Sequence, residues 1–437
     1  MADAQAQYRS KLMTAEEAAA GIPDGALIAQ GNTIGEPQAM LEAIAQRARN
    51  GGFRDGITMM ALLPMATSAR TILAPEVRDV IKWKSLFTSG IDRGLVQGGE
   101  SDFMPAFFHQ LPRIFTEFLD IDVAVVVVSP VDKNGYMSLG VSIDTAVAAI
   151  AKAKYVVAEV NRHMPRVHGT GWVHVSEVDA IVEYDTPLTE LPVAPDREED
   201  KAMGEMISAM IPNGACIQLG IGGVPSAVAK SLLDHEDLGI HTEMFVDAMV
   251  DLIESGVANG SKKTFHPGKA IFTFAAGSQR MYDFVDDNPH IEAHPVSYVN
   301  YPPNIAKNDN LVSVNSTIEI DLTGQCCSES MGPRQWSGTG GQHDYARGAF
   351  DSKGGKSIIA FYSTAKSGQV SRVVPMLTPG AVVTTPRCEV HWLVSEYGAT
   401  NLKGKSLRER ATAIIGLAHP KFRDELTAAA KELHYIS

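Results

Sequence analysis

The chain has 437 residues, too many for one hydrophobic core, so two domains are expected. Hydrophobic residues make up 45% and charged residues 20%, an ordinary globular balance. A net charge of -13 argues against a nucleic-acid backbone or an anionic membrane surface as a partner, but local amides and a few cations could still hold an anionic small molecule.

The first eleven residues are polar and lack the apolar stretch of a secretory signal. Residues 37–50 read as an amphipathic helix, with Pro37 tolerated in its first turn. Residues 123–128 form the most conspicuous apolar run. They read as a buried parallel strand, far short of the roughly 20 residues a membrane helix needs, and a polar turn follows at 132–135. Residues 154–160 are a further strand candidate. From Tyr184 to Glu199 the chain turns polar, with Pro187, Pro192 and Pro195, and reads as a linker. A helix is expected from Lys201, then strands at 215–219, 270–274, 311–314, 357–362 and 381–384. Alternating helices and strands argue for an α/β fold in two related domains, 1–190 and 191–437, although no sequence repeat is evident. Of the four cysteines, Cys326 and Cys327 are adjacent and none forms a CxxC pair with Cys216 or Cys388. A disulfide framework or zinc site is not expected, and a reducing cytoplasm fits.

Three glycine-bearing segments are candidates for chemistry. The first, Gly220-Ile221-Gly222-Gly223-Val224-Pro225, lies between an apolar strand and a helical run at 226–233. Its amides could approach a phosphate, or it could be a tight strand-to-helix turn. The dinucleotide fingerprint needs a third glycine where Pro225 stands, although Glu243 sits near the position of that fold's acidic residue. The second segment, Ser337-Gly338-Thr339-Gly340-Gly341-Gln342-His343-Asp344, could supply an oxyanion hole or be a flexible surface loop. The third, Gly354-Gly355-Lys356-Ser357, resembles a P-loop superficially. Phe350 stands where that motif needs glycine, so a turn into the next strand is expected.

Glu243 follows Gly239-Ile240 and precedes an apolar triplet. A glutamate at the end of a buried strand is costly unless paired or used, so a structural salt bridge and a catalytic carboxylate are both open. Asp247 and Asp251 could cap or solvate the next helix. His163, His168 and His174 do not have metal-ligand spacing, whereas His343, inside the second glycine segment, is a substrate-side candidate. No GxSxG elbow is present.

In order along the chain, GIGGVP (220–225), HTEM (241–244), VNSTIEIDLTGQ (314–325), SGTGGQHDYARGA (337–349) and STAK (363–366) together resemble the class I CoA-transferases. The similarity is greatest to the acetyl-CoA hydrolase/transferase branch, which includes 4-hydroxybutyrate and butyrate CoA-transferases. GNTIGEPQ (31–38) and SPVDKNGY (129–136) are similar to that branch too. The resemblance implies two similar open α/β domains with the active site in the cleft between them. It implies Glu243 as nucleophile, and Gly341 in the oxyanion hole. The CoA contacts it implies are Gly220, Ile221, Gly222, Gly223, Val224, Ser337, Gly341 and Lys366. Gln342 and His343 are acid-pocket candidates. The implied chemistry is ping-pong transfer through glutamyl anhydride and glutamyl-CoA thioester intermediates, with coenzyme A and acyl-CoA as substrates, small carboxylic acids as partners, and no metal or permanently bound cofactor. The family is commonly dimeric, so a homodimer or larger homo-oligomer is expected. Rival expectations are an acyl-CoA hydrolase on the same fold, a nicotinamide-dependent oxidoreductase built on the first glycine turn, and a ligand-sensing protein. No basic helix-turn-helix supports the last.

Overall fold

A computed structural model of the chain describes residues 2–192 and 197–437. They group into two units, each built on its own sheet. The first holds residues up to Pro192 together with Phe245–Asp247 and Ile271–Val299, and the second holds the rest. The chain thus returns to the first unit after Glu243, and spatial grouping departs from chain order there.

The first unit has a seven-stranded sheet in the order Ala180–Glu183, Tyr155–Val160, Val123–Val128, Leu27–Gln30, Ile57–Leu62, Ile81–Phe87, Asp102–Phe103. All its pairings are parallel. Every residue of the Val123–Val128 strand is buried, as a central parallel strand covered on both faces requires. The expected helix covers Gln38–Arg49, with Pro37 as its N-cap. Proline offers no side-chain oxygen for the orphan amides. The buried Glu159 of the Tyr155–Val160 strand serves instead, its Oε2 accepting the Met40 N–H at 2.9 Å. The polar turn is also present. Asp132 Oδ1 accepts the amides of Asn134 and Tyr136 at 2.8 and 2.9 Å, and Gly135 takes φ +92°.

Part of the expected linker is ordered structure. Tyr184 N–H donates to Val160 O at 2.9 Å, Tyr282 Oη to Thr189 O at 2.7 Å, and Leu191 N–H to Gly277 O at 3.0 Å, which tie this segment into the first unit. Pro195, with the rest of 193–196, lies outside the described residues. The next helix is Glu198–Ser208, three residues earlier than expected at its start, because its three acidic first-turn residues complement the helix dipole and Asp200 Oδ2 accepts the Arg197 N–H at 3.1 Å.

The second unit has a six-stranded sheet in the order Gly239–Ile240, Cys216–Leu219, Leu311–Ser316, Lys356–Ala360, Trp392–Ser395, Gly398–Asn401. The pairings are parallel except for the last hairpin, which is antiparallel. Residues 381–384 form no strand. Val382 and Val383 are 40% and 42% exposed, and the segment lies between Gly380 and Pro386, tied by Val382 N–H to Ser330 Oγ at 2.9 Å. Its β-propensity is realised only at its end, where Thr384 N–H donates to Cys326 O at 2.9 Å and Thr385 makes a single bridge with Cys326. Gly354, at φ +75°, makes the expected turn into Lys356–Ala360. No helix among the described residues is long and apolar enough to cross a membrane.

Candidate active site

Glu243 sits at a bend after Gly239–Ile240, the edge strand of the second sheet, and immediately before the two-residue strand Met244–Phe245. It is half-buried and not locked inside a strand, which differs from the expected strand end. Chain direction at the bend is fixed on both sides. His241 N–H donates to Ile217 O at 3.1 Å, and Thr242 Oγ1 donates to Met244 O at 3.1 Å. The buried Lys263 adds a clamp, its Nζ donating to Ile240 O at 2.9 Å and Lys269 O at 2.6 Å.

Asn300 and Gly341 meet the Glu243 carboxylate within the same unit. Asn300, fully buried, donates from Nδ2 to Oε2 at 2.5 Å. Gly341 is the N-cap of the helix Gln342–Asp351, and a Cβ on it would overlap both Glu243 Oε2 and Asn300 Nδ2. Its φ of -98° is open to any residue, so space and not backbone conformation demands glycine here. The first amides of that helix have no intrahelical partner, and the positive end of its dipole lies beside the carboxylate. The Tyr345 hydroxyl, one turn into the helix, is pushed well above its usual pKa by burial and then by the Glu243 charge.

The loop that delivers Gly341 is held from below by Glu329. The Glu329 carbonyl accepts the amides of Trp336 and Ser337 at 2.7 and 3.1 Å, and its carboxyl Oε1 accepts Thr339 Oγ1 at 3.4 Å. Burial raises the pKa of that carboxyl. Gln335 Nε2 donates to Ser337 O at 3.0 Å, and Ser337 Oγ turns to Gly338 O at 3.2 Å. Gln342 and His343 lie in the first helical turn, half-buried, with Gln342 Nε2 donating to Thr385 Oγ1 at 3.2 Å.

The turn Gly220-Ile221-Gly222-Gly223-Val224 follows the Cys216–Leu219 strand, and the helix it opens is Gly223–Ser231, three residues earlier than expected. Gly222 takes φ +120°, and Gly220 N–H donates to Val314 O at 2.9 Å. Lys366 is exposed at the tip of the hairpin joining Thr364–Ala365 to Val370–Ser371, at φ +49°. The structure therefore brings Glu243 and Gly341 together and adds Asn300, which the sequence pattern did not single out. The turn and Lys366 stand on other elements of the same unit. Asn300 lies 57 positions from Glu243 in an unremarkable Val-Asn-Tyr context, so no local spacing marks it. Glu329 was equally silent, although it flanks the second glycine segment. Asp247, a capping candidate, opens the helix Asp247–Glu254 and accepts Ser278 N–H at 3.0 Å.

Residues 1–192 match the acetyl-CoA hydrolase/transferase N-terminal domain and residues 277–430 the C-terminal domain of the same family. The chain is 46% identical over 430 residues to a succinyl-CoA:cyclohexane-1-carboxylate CoA transferase of Geobacter metallireducens, covering 98% of this chain and 97% of that one. It is 45% identical over 420 residues to a 4-hydroxybutyrate coenzyme A transferase of Clostridium kluyveri, covering 96% and 97%. The crystal structure of RipA from Yersinia pestis superposes with a TM-score of 0.95 at 45% identity, covering 99% of this chain and all of that one. With matches of this extent in both halves, the chain belongs to the acetyl-CoA hydrolase/transferase family and is a CoA-transferase enzyme.

Proposed function

We propose that this enzyme moves coenzyme A from an acyl-CoA donor to a small carboxylic acid by ping-pong chemistry on Glu243. Acetyl-CoA, butyryl-CoA or succinyl-CoA is the donor, and 4-hydroxybutyrate, butyrate or itaconate is the acceptor. Relatives named for succinyl-CoA, cyclohexane-1-carboxylate and 4-hydroxybutyrate support a carboxylate acceptor and extend the range to a cyclic acid.

The Glu243 carboxylate attacks the thioester carbonyl, the C–S bond breaks, and CoA leaves as thiolate. The thiolate then attacks the glutamyl carbonyl of the mixed anhydride, releasing the first acid as its carboxylate and leaving a glutamyl-CoA thioester. The acceptor carboxylate attacks that thioester and expels the thiolate. The thiolate attacks the new acyl carbonyl, giving the new acyl-CoA and regenerating the Glu243 carboxylate. Each attacking group is already anionic, so the scheme requires no general base, metal or resident cofactor. Every step passes through an oxyanion, which a backbone amide at Gly341, at the start of the helix Gln342–Asp351, would stabilise. Asn300 holds one oxygen of Glu243 and so orients the carboxylate for attack. The 220–224 turn, Ser337 and Lys366 are assigned to CoA, and Gln342 and His343 to the acid. The reaction is placed in a reducing cytoplasm, in a homodimer or larger homo-oligomer.

The observation that carries this reading is the bond from Asn300 to Glu243 Oε2 beside a glycine whose missing Cβ keeps that carboxylate in place. Intact-protein and peptide mass spectrometry after incubation with acyl-CoA tests it. The expected result is an increment of CoA less water on the peptide holding Glu243, lost in Glu243→Ala. An unmodified peptide during active turnover would overturn the covalent scheme.

A further inference from the structure

A hydroxyl buried in a folded protein is normally hydrogen-bonded, because an unpaired one gives up its water without replacement. Tyr345 departs from this. It is 1% exposed, and its Oη has no hydrogen-bond partner among the described residues. The rest of the residue is well held. Its N–H donates to Gly341 O at 3.0 Å, its carbonyl accepts Ser313 Oγ at 3.4 Å, and its ring packs with Cys216, Ile305, Leu311 and Ala349. Phenylalanine would fill the same space without a stranded donor, so packing alone does not account for the hydroxyl.

The helix decides where that hydroxyl points. Tyr345 stands four residues after Gly341, the N-cap of Gln342–Asp351, and so about one turn further along the same face. A helical side chain leans back over the turn N-terminal to its own Cα. Tyr345 therefore reaches toward Gly341, whose Cβ position lies against the Glu243 carboxylate. The charge of Glu243 acts on the hydroxyl, and after burial it is the largest cause of the raised pKa. Two other titratable groups act on it, Cys216 and Asp344. Burial pushes the Cys216 thiol up to about 11, so it keeps its proton and is a weak acceptor. Asp344 is the preceding residue, turned about 100° round the helix axis. Glu243 is the acceptor that remains.

We propose that the Tyr345 hydroxyl is a catalytic donor for Glu243: idle while the free carboxylate is held by Asn300, it donates to the Glu243 carbonyl oxygen when that group carries CoA and its carbon is attacked. The proposal rests on the glutamyl-CoA reading given above. In that step the acceptor carboxylate adds to Cδ of Glu243, and the C=O electron pair moves onto the oxygen. The oxyanion then re-forms the carbonyl and expels CoA as thiolate. Tyr345 keeps its proton throughout and supplies only a hydrogen bond. A bond made in the transition state and absent from the free enzyme raises kcat without tightening substrate binding.

The test compares wild type with Tyr345→Phe, which removes the hydroxyl alone. The enzyme is charged with whichever of acetyl-CoA, butyryl-CoA and succinyl-CoA loads the wild type, and is then rapidly desalted. It is mixed with the acid of that same donor, which must accept CoA because the reaction is reversible, and loss of the CoA mass from the intact protein is followed in time. The discharge rate constant and kcat are expected to fall about a hundredfold in Tyr345→Phe. KM for the acyl-CoA stays as in wild type, and the melting temperature is equal or higher, because a stranded buried donor has gone. Equal discharge rates would overturn the proposal and leave the covalent scheme standing. A lower melting temperature would show that the hydroxyl already has a partner in the free enzyme, and would overturn it as well. No CoA mass on the wild type from any of the three donors would instead remove the glutamyl-CoA reading beneath the proposal.

Discussion

At the scale of single residues, the site turns on a missing atom. Gly341 has an unstrained backbone, yet any side chain there would occupy the space of the Glu243 carboxylate and the Asn300 amide. Gly341→Ala is therefore expected to fold, at a cost in stability of about 1–3 kcal/mol from overpacking. Its kcat should fall by about a hundredfold, since displacing a reacting group by an ångström costs that much. Steady-state kinetics beside a thermal melt checks this. Near-normal turnover would show that Glu243 can shift without harm. The glycine itself was visible in the sequence as part of a dense segment. Its reason was not, because overlap with two side chains remote in sequence is a tertiary fact.

At the scale of elements, the long apolar or strongly periodic segments were legible. Residues 37–50, 123–128 and 215–219 became the helix Gln38–Arg49 and the strands Val123–Val128 and Cys216–Leu219, because burial on one stripe or on both faces writes itself into composition. Residues 381–384 had the composition of a strand but reach a neighbouring strand only at their last residue, where Thr384 N–H donates to Cys326 O at 2.9 Å, and strand propensity is realised only in a sheet. The helix starts at 198 and 223 were placed three residues late; the first is set by its own acidic first turn, with Asp200 accepting the Arg197 amide. The cap of Gln38–Arg49 has a measurable consequence. Burial raises the pKa of Glu159 from 4.5 to about 8, against the opposing pull of the helix amides. A carboxyl with a raised folded pKa favours the native state while protonated, so its contribution is present below the unfolded value near 4.5 and is lost as pH rises towards 8. Glu159→Gln keeps an acceptor for the Met40 amide without that titration. The variant's melting temperature is expected to gain on wild type progressively between pH 4.5 and 8. A difference that is flat across this range would show that Glu159 does not titrate there.

At the scale of the whole molecule, the chain leaves its first unit and comes back. Phe272, Met281, Tyr282, Ile291 and Val296 are buried residues of the returning segment Ile271–Val299. Within the first unit, Ile291–Ala293 pairs with His168–Gly169, and Val296 N–H donates to Asp144 O at 3.0 Å. Each such side chain contributes about 1.5–3 kcal/mol by burial, so five together rival the 5–15 kcal/mol that holds a typical domain folded. A fragment of residues 1–192 is accordingly expected to lack a cooperative thermal transition, read by near-ultraviolet circular dichroism. A sharp transition like that of the full chain would show that the returning segment is dispensable.

The sequence alone determined the α/β class, the family, and the carboxylate on which the chemistry was staked, because these rest on local composition and on short motifs in a fixed order. Tertiary structure alone decided what surrounds that carboxylate. Asn300 is 57 positions away, and Gly341 matters for the atom it lacks. Contacts of this kind come from chain segments that meet only in the folded state, and no periodicity or spacing along the chain encodes them.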